Sequence, residues 1–301
     1  MRAGIVVVLP WLLSCSGGGT TSPNPPVPID NLPAQPVAIS PAAGGQTTSD
    51  TPTFVVRNAR GFDLGQATYT FEVTTRGRGQ LLAEFMAPAG RSTTSAVAPA
   101  PLPRGMDLAW RATARSASGE VASPLAPFRL PPVACLAPGD RYAQSVVAVM
   151  LPSCPRMPNI YDDPSEVLGP PDAGGFGPFN FHGFLSLGDG GHVTVDMEGC
   201  AVDGPGADVR VYQAVGSEPV TLYAAGTPAG PFVLLEERKR CGERIPGEPT
   251  IRYCEFDLAE GEVTEARYFR VEDGERFPCE LAQTPSEGAD IDAVQLLNVR
   301  P

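Results

Sequence analysis

The sequence predicts an all-β chain of two β-sandwich domains, and three observations carry that prediction. Glycine and proline, at 33 and 34 of 301 residues, make up about 22% of the chain and leave little room for long helices. Short runs alternate apolar and polar residues with a period of two, the pattern of half-buried strands. No run sustains the 3.6-residue apolar period of a helix, so helices are expected only as single turns, as in DDPSEVLG at 162–169. The formal charge is −12, from 34 acids against 22 bases, which argues against a nucleic-acid partner held by phosphate contacts.

The chain opens with MRAGIVVVLPWLLSC, in which Arg2 precedes an apolar run from Ile5 to Leu13 broken by Pro10. That run is too short for a bilayer core, which needs about 20 helical residues, and residues 1–14 have the shape of a signal peptide. Leu12, Leu13, Ser14 and Cys15 resemble the bacterial lipobox. The resemblance implies that Cys15 receives a diacylglyceryl group and becomes the acylated first residue, held at a membrane by two or three acyl chains. Ser16 after the cysteine implies, by the same resemblance, an outer-membrane lipoprotein, on its periplasmic face or at the cell surface. Residues 15–35, rich in glycine, proline and serine, read as a tether that in a polyproline-like state reaches at most roughly 60 Å.

Export agrees with the cysteines. Beyond Cys15 there are six, Cys135, Cys154, Cys200, Cys241, Cys254 and Cys279, and an even number in an exported chain implies disulfides. Six cysteines allow fifteen connectivities, and no physical rule selects one. Pairing near neighbours would join Cys135 to Cys154 and Cys241 to Cys254, leaving Cys200 with Cys279. Zinc is disfavoured, because there is no CxxC and His182 and His192 are the only histidines.

Residues 36–131 form the first expected sandwich. PTFVVRNA at 52–59 is followed by ATYTFEVTT, where Tyr69, Phe71 and Val73 alternate with Thr70, Glu72 and Thr74. In LAWRATARS the inward set is Leu108, Trp110, Ala112 and Ala114. PVAISPAAGGQTTSDTPTF, YTFEV, PLPRGMDLAWRATA and SPLAPFRL follow in an order that resembles a fibronectin type III domain. The resemblance implies a spacer or protein-contact module with no catalytic residue.

Residues 132–301 carry the acidity: the first 131 residues have net charge +3 and the remainder −15. Most of these acids, including Glu236, Glu237, Glu260, Glu262 and Glu265, are expected to face water. HVTVDM and ADVRVYQAV alternate as strands, with Val193, Val195, Val209 and Val211 on one side. VLGPPDA, FLSLGDGGHVTVDM, DGPGADVRVYQ, FDLA, ARYFRVED and GADIDAVQLL occur in an order similar to that of a group of bacterial cell-surface proteins whose folds look like the discoidin or galactose-binding jelly roll. That resemblance implies a surface-displayed binding module that can depend on calcium, and it does not imply an enzyme; the cysteine count adds the disulfide staples.

Two sets of site residues follow. A strand through ADIDAVQLL places Asp290 and Asp292 on one face with Val294 and Leu296, and paired carboxylates at an apolar rim need a cation, an arginine or backbone donors. Calcium meets that demand with six to eight oxygen ligands, and Asp203 and Asp208, Asp172, and Asp162 with Asp163 are the further candidates. In DAGGFGPFNFHGF, the aromatic Phe176, Phe179 and Phe181 with His182 lie among glycines, where they can stack on a sugar or press on a partner. No GxSxG elbow, P-loop or GxGxxG after a strand occurs, which leaves a glycoside hydrolase with paired carboxylates as the enzymatic alternative. The expected function is non-enzymatic binding of a glycan or surface protein, and the other alternative is a purely structural envelope component.

Overall fold

The computed structural model describes residues 34–62, 66–136, 140–152, 160–174, 182–214, 216–246, 248–274 and 288–300, and they are all-β apart from two 3₁₀ turns. In the first half lie β1 (Val37–Ser40), β2 (Gly45–Gln46), β3 (Thr53–Arg57), β4 (Thr68–Thr75), β5 (Leu81–Pro88), β6 (Thr93–Val97), β7 (Leu108–Ser116), β8 (Gly119–Ala122) and β9 (Ala126–Arg129). They make a three-stranded sheet, β1-β3-β6, and a second sheet, β2-β9-β7-β4-β5, with β8 beside β7. The alternation expected of β4 and β7 is what the structure uses: Tyr69, Phe71, Val73, Leu108, Trp110, Ala112 and Ala114 are all fully buried. Phe54 from β3 packs edge-on against Trp110 at 5.1 Å and Phe128 at 5.6 Å, joining the two sheets. The indole N–H of Trp110 donates to the Pro41 carbonyl at 3.0 Å, so this buried ring leaves no polar atom unpaired.

In the second half lie β10 (Ser145–Met150), β11 (Leu185–Ser186), β12 (His192–Val202), β13 (Val209–Ala214), β14 (Pro219–Ala225), β15 (Val233–Arg240), β16 (Glu243–Ile245), β17 (Glu248–Phe256), β18 (Glu265–Asp273) and β19 (Asp290–Leu296). They form two five-stranded antiparallel sheets, β10-β12-β18-β14-β15 and β11-β19-β13-β17-β16. Val193, Val195, Leu222, Phe269 and Val271 from the first sheet meet Val209, Val211, Phe256, Val294 and Leu296 from the second in the main core. The single-turn helices fall at Pro164–Val167, inside DDPSEVLG, and at Leu258–Gly261. Asp163 and Asp257 cap them by accepting the amides of Ser165 and Ala259.

Two expectations change here. Cys241 pairs with Cys254 as near neighbours, with Cα atoms 4.4 Å apart, but Cys135 pairs with Cys200 at 5.4 Å, not with Cys154. The reason is the path of the connection between the sandwiches. The Leu136 amide donates to the Glu198 carbonyl at 2.8 Å, which brings Cys135 beside the end of β12, 65 positions away in sequence. Cys15, Cys154 and Cys279 lie outside the described residues. Glu265 was expected in water but is only 8% exposed, and it pairs with Arg300 at 2.6 Å. Burial pushes its carboxyl above the usual range, and the Arg300 charge opposes that shift.

The sandwiches touch through the loop before β7. The Gly105 carbonyl accepts from the Thr264 amide at 2.6 Å, the Thr264 hydroxyl at 2.9 Å and the Glu265 amide at 3.2 Å. Next to it, Met106 bridges Val263 in antiparallel fashion. Arg78 reaches the Glu260 carbonyl at 2.8 Å from the other side of the contact. The connection itself is held by Arg267, which forks onto Asp196 at 2.7 and 2.8 Å and donates to the Ala134 carbonyl at 2.8 Å. Gly105 has φ +74°, and a Cβ there would stand 1.9 Å from the Glu265 carbonyl oxygen. Gly105→Val is therefore expected to cost roughly 1–3 kcal/mol. Calorimetry should show a lowered midpoint together with faster proteolysis between residues 131 and 136, and an unchanged midpoint and cleavage rate would show that the contact does not form in solution.

Candidate functional site

The aspartates expected to share one metal site separate into three groups. Asp203, Asp208 and Asp257 offer oxygen atoms that all lie within 4.8 Å of one another. Asp208 is fully buried, and it accepts from the Gly204 amide at 3.0 Å, the Asn298 amide at 2.8 Å and the Leu258 amide at 2.9 Å. This carboxylate thus ties together the loop before β13, the 3₁₀ turn after β17 and the segment after β19. Asp203 is exposed, yet its carboxyl is pushed up by partial desolvation and by the charges of Asp208 and Asp257. Asp257 escaped the sequence reading, although its place after Phe256 and before a turn is a capping signal.

Asp172 and Asp292 form the second group. Asp292 Oδ1 accepts from the amides of Asp172 at 3.0 Å and Ala173 at 3.3 Å, while its Oδ2 is buried with no partner among the described residues. Asp290 belongs to the third group, where it hydrogen-bonds Ser186 and feels the charges of Glu218 and Asp273. The expected face Asp290, Asp292, Val294, Leu296 does not exist. The pairing of β19 with β13 shifts register between Tyr212 and Gln213, so Ile291, Val294 and Leu296 enter the main core. Asp203 and Asp208 lie beyond the Val209 end of β13, next to Leu296, whereas Asp290 and Asp292 lie toward the other end of β19. No single ion can bind all of them.

The aromatic loop is described only at its base. Gly174 and His182 form an antiparallel bridge, and His182 is exposed. Phe176, Phe179 and Phe181 lie outside the described residues. Phe184, just after the bridge, is buried and packs on Tyr161 with ring centroids 4.6 Å apart. It belongs to a small apolar cluster on the outer side of the β13 sheet, with Ala173, Tyr212, Ala214, Ile251 and Ala293, and with Tyr142, Tyr161, Ile245 and Tyr253 packed against it half-buried.

Tyr212 donates to Gln295 Oε1 at 2.7 Å, Tyr253 donates to Glu243 at 2.5 Å, and Arg210 donates to Glu255 and lies 4.1 Å from the centre of the Tyr253 ring. Burial alone would lower the Arg210 pKa, but hydrogen bonds to Glu255 and Tyr212 hold the guanidinium above its ordinary value. Arg210, Tyr253 and Tyr142 were not expected as site residues. The signal for the first lay in ADVRVYQAV, where Arg210 and Tyr212 alternate with the buried valines.

No family model matches the chain, and no curated protein matches it. Among solved structures, it is similar to domains d3–d4 of the rat CD45 extracellular region, with TM-score 0.20 and 13% identity over 42% of this chain and 82% of that one. It is also similar to the secreted serine protease VesC from Vibrio cholerae, with TM-score 0.29 and 10% identity over 87% of this chain and 51% of that one.

Asp292 gives the second sandwich a pH dependence. Burial raises its carboxyl from 3.8 to about 7, the amides of Asp172 and Ala173 pull the other way, and the charge of Asp172 adds to the rise. Because the folded value lies above the unfolded one, the native chain holds the extra proton between about pH 4 and 7. The associated destabilisation is absent below that window and complete above it, with an upper bound near ~4 kcal/mol. With EGTA present, Asp292→Asn is expected to raise the unfolding midpoint by several degrees at pH 8 and to leave it unchanged near pH 4. An equal effect at both pH values in thermal melts would show that Asp292 does not titrate in this window.

Proposed function

We propose that this chain is an exported, lipid-anchored bacterial envelope protein without catalytic activity, whose C-terminal sandwich binds a glycan or a surface protein. The observation that carries this reading is the polarity of the first sandwich. β1 begins at Val37 beside Arg57, at the far end of β3 from Asp50 and Pro52. The near end adjoins the loop that contacts the second sandwich, since the Leu102 amide donates to the Asp50 carbonyl at 2.8 Å and Arg104 pairs with Asp50 at 2.8 Å. A tether over residues 15–35, anchored through Cys15, would enter at one end and leave the second sandwich displayed at the other.

The finer assignments are part of the same proposal. The strand order β1-β3-β6 against β9-β7-β4-β5 supports a spacer of fibronectin type III type. The two five-stranded antiparallel sheets support a jelly roll of discoidin or galactose-binding kind, and the Cys135–Cys200 and Cys241–Cys254 bridges among the described residues support export. Palmitate labelling of cells expressing the full chain tests the anchor: a labelled membrane fraction that disappears with Cys15→Ser is the expected result. An unlabelled soluble protein would overturn the membrane-bound reading.

Structural calcium is also proposed, held by Asp203, Asp208 and Asp257. Three converging carboxylates suit a divalent cation that accepts six to eight oxygens, and Asp208 Oδ2, with one donor from Leu258, keeps a lone pair for it. The ion would supply charge compensation for the loop before β13. At a free calcium concentration a hundredfold above Kd the gain is about 2.7 kcal/mol. Thermal melts should rise with calcium and fall with EGTA in the parent chain, and Asp203→Asn should abolish the response. Melts that ignore calcium, or that respond equally in the variant, would remove the ion from this site.

A further inference from the structure

We infer that the outer face of the β19-β13-β17-β16 sheet is a binding platform for a neutral oligosaccharide, an inference that rests on the second sandwich being the binding module. Strand pairing sets the groups out in two rows. Gln295, Arg210 and Glu255 are direct cross-strand partners, and Tyr212, Tyr253 and Glu243 form the adjoining row. Tyr142 pairs with Gln295 at the margin. Each row crosses two strand spacings and is roughly 10 Å wide, and the rows stand about 7 Å apart. That area matches a short oligosaccharide.

The composition of this face is unusual for the chain. Tyr142, Tyr161, Tyr212 and Tyr253 are four of its seven tyrosines; Tyr212 is buried in the cluster that floors the face, and the other three pack against that cluster half-buried. Tyrosine suits a surface that is apolar on one side and wet on the other, and a sugar presents apolar C–H faces between its hydroxyls. The polar groups among these rings are planar: the Arg210 guanidinium, the carboxylates of Glu243 and Glu255, and the Gln295 amide. Each is held by a neighbour, through Arg210 to Tyr212 at 3.3 Å, Tyr212 to Gln295 at 2.7 Å and Tyr253 to Glu243 at 2.5 Å. Side chains already fixed in place lose little freedom when a ligand docks.

Charge and exposure select the ligand class. Arg210 is neutralised by Glu255, and the half of the chain containing them carries −15, so a polyanion is disfavoured. The strongly exposed aliphatic side chains, among them Val147, Val149, Met150 and Leu234, lie elsewhere, and none lies on β13, β16, β17 or β19 among the described residues. A protein partner seeking a desolvated apolar centre is less well served by this face than a hydroxyl-rich one.

Affinity electrophoresis in native gels containing dextran, galactomannan, xylan or laminarin tests the platform, using the full second sandwich together with the first. The parent chain should be retarded by at least one of these polysaccharides. Tyr253→Ala and Tyr142→Ala should each weaken that retardation about tenfold while circular dichroism still reports the folded parent's spectrum, and Tyr253→Phe, which keeps the ring, should weaken it less. Retardation unaltered in both alanine variants, or lost only in Phe179→Ala, would overturn the platform and leave the binding-module reading standing. Absence of retardation in every gel would also overturn it, leaving a surface protein as the ligand of the module.

Discussion

The Gly105 carbonyl is the contact on which the relation between the sandwiches depends. One backbone acceptor takes three donors from Thr264 and Glu265, at the start of β18, because residue 105 has no side chain to hold the strands apart. The connection between the sandwiches is then fastened along its length, by Arg267 at Ala134 and by the Cys135–Cys200 bridge. A bridge across 65 residues restricts the unfolded chain by roughly 4 kcal/mol in the chain-entropy account. The disulfide therefore acts both on the unfolded ensemble and on the placement of one sandwich against the other. A flexible spacer would need neither.

The second sandwich buries acids in two distinct ways, and the difference lies in how many donors each receives. Asp208 has N–H donors on both oxygens, so burial is offset by three hydrogen bonds that also fasten three chain segments together. Asp292 has donors on one oxygen only, and burial without compensation on the other raises its pKa. Its cost is tolerated because the same side chain fixes the turn through Asp172 and Ala173, which positions the base of the aromatic loop at Gly174.

Much of the fold was legible in the sequence because period-two alternation decides which side of a strand meets the core. Tyr69, Phe71 and Val73 in β4 and Val209 and Val211 in β13 face where the pattern places them. β19 was misread because a register shift in its pairing with β13 has no mark in GADIDAVQLL, and one shifted residue exchanges inner for outer positions. Cys135 was misassigned for a related reason: separation along the chain carries no information about which strand end a connection passes. Asp203 and Asp208 were legible as a pair because a six-residue glycine-containing loop brings them together, but Asp257 joins them only through the β13–β17 pairing.

The same alternation that builds the core also determines where surface chemistry can be held rigidly. Every second residue of β13 and β17 is committed to the interior, so Arg210, Tyr212, Tyr253 and Glu255 are fixed outward by the packing of Val211, Cys254 and Phe256 beneath them. The Cys241–Cys254 bridge adds a covalent tie to β17 at the centre of that arrangement. The other sheet is less free, because Arg267 in β18, paired with Asp196 of β12, holds the connection from the first sandwich at Ala134. Of the two sheets, the one remote from this fastening carries Tyr212 and Tyr253 as direct cross-strand partners. Its outward side chains stand on paired strands, so their spacing follows from the hydrogen-bond ladder and does not depend on loop conformation.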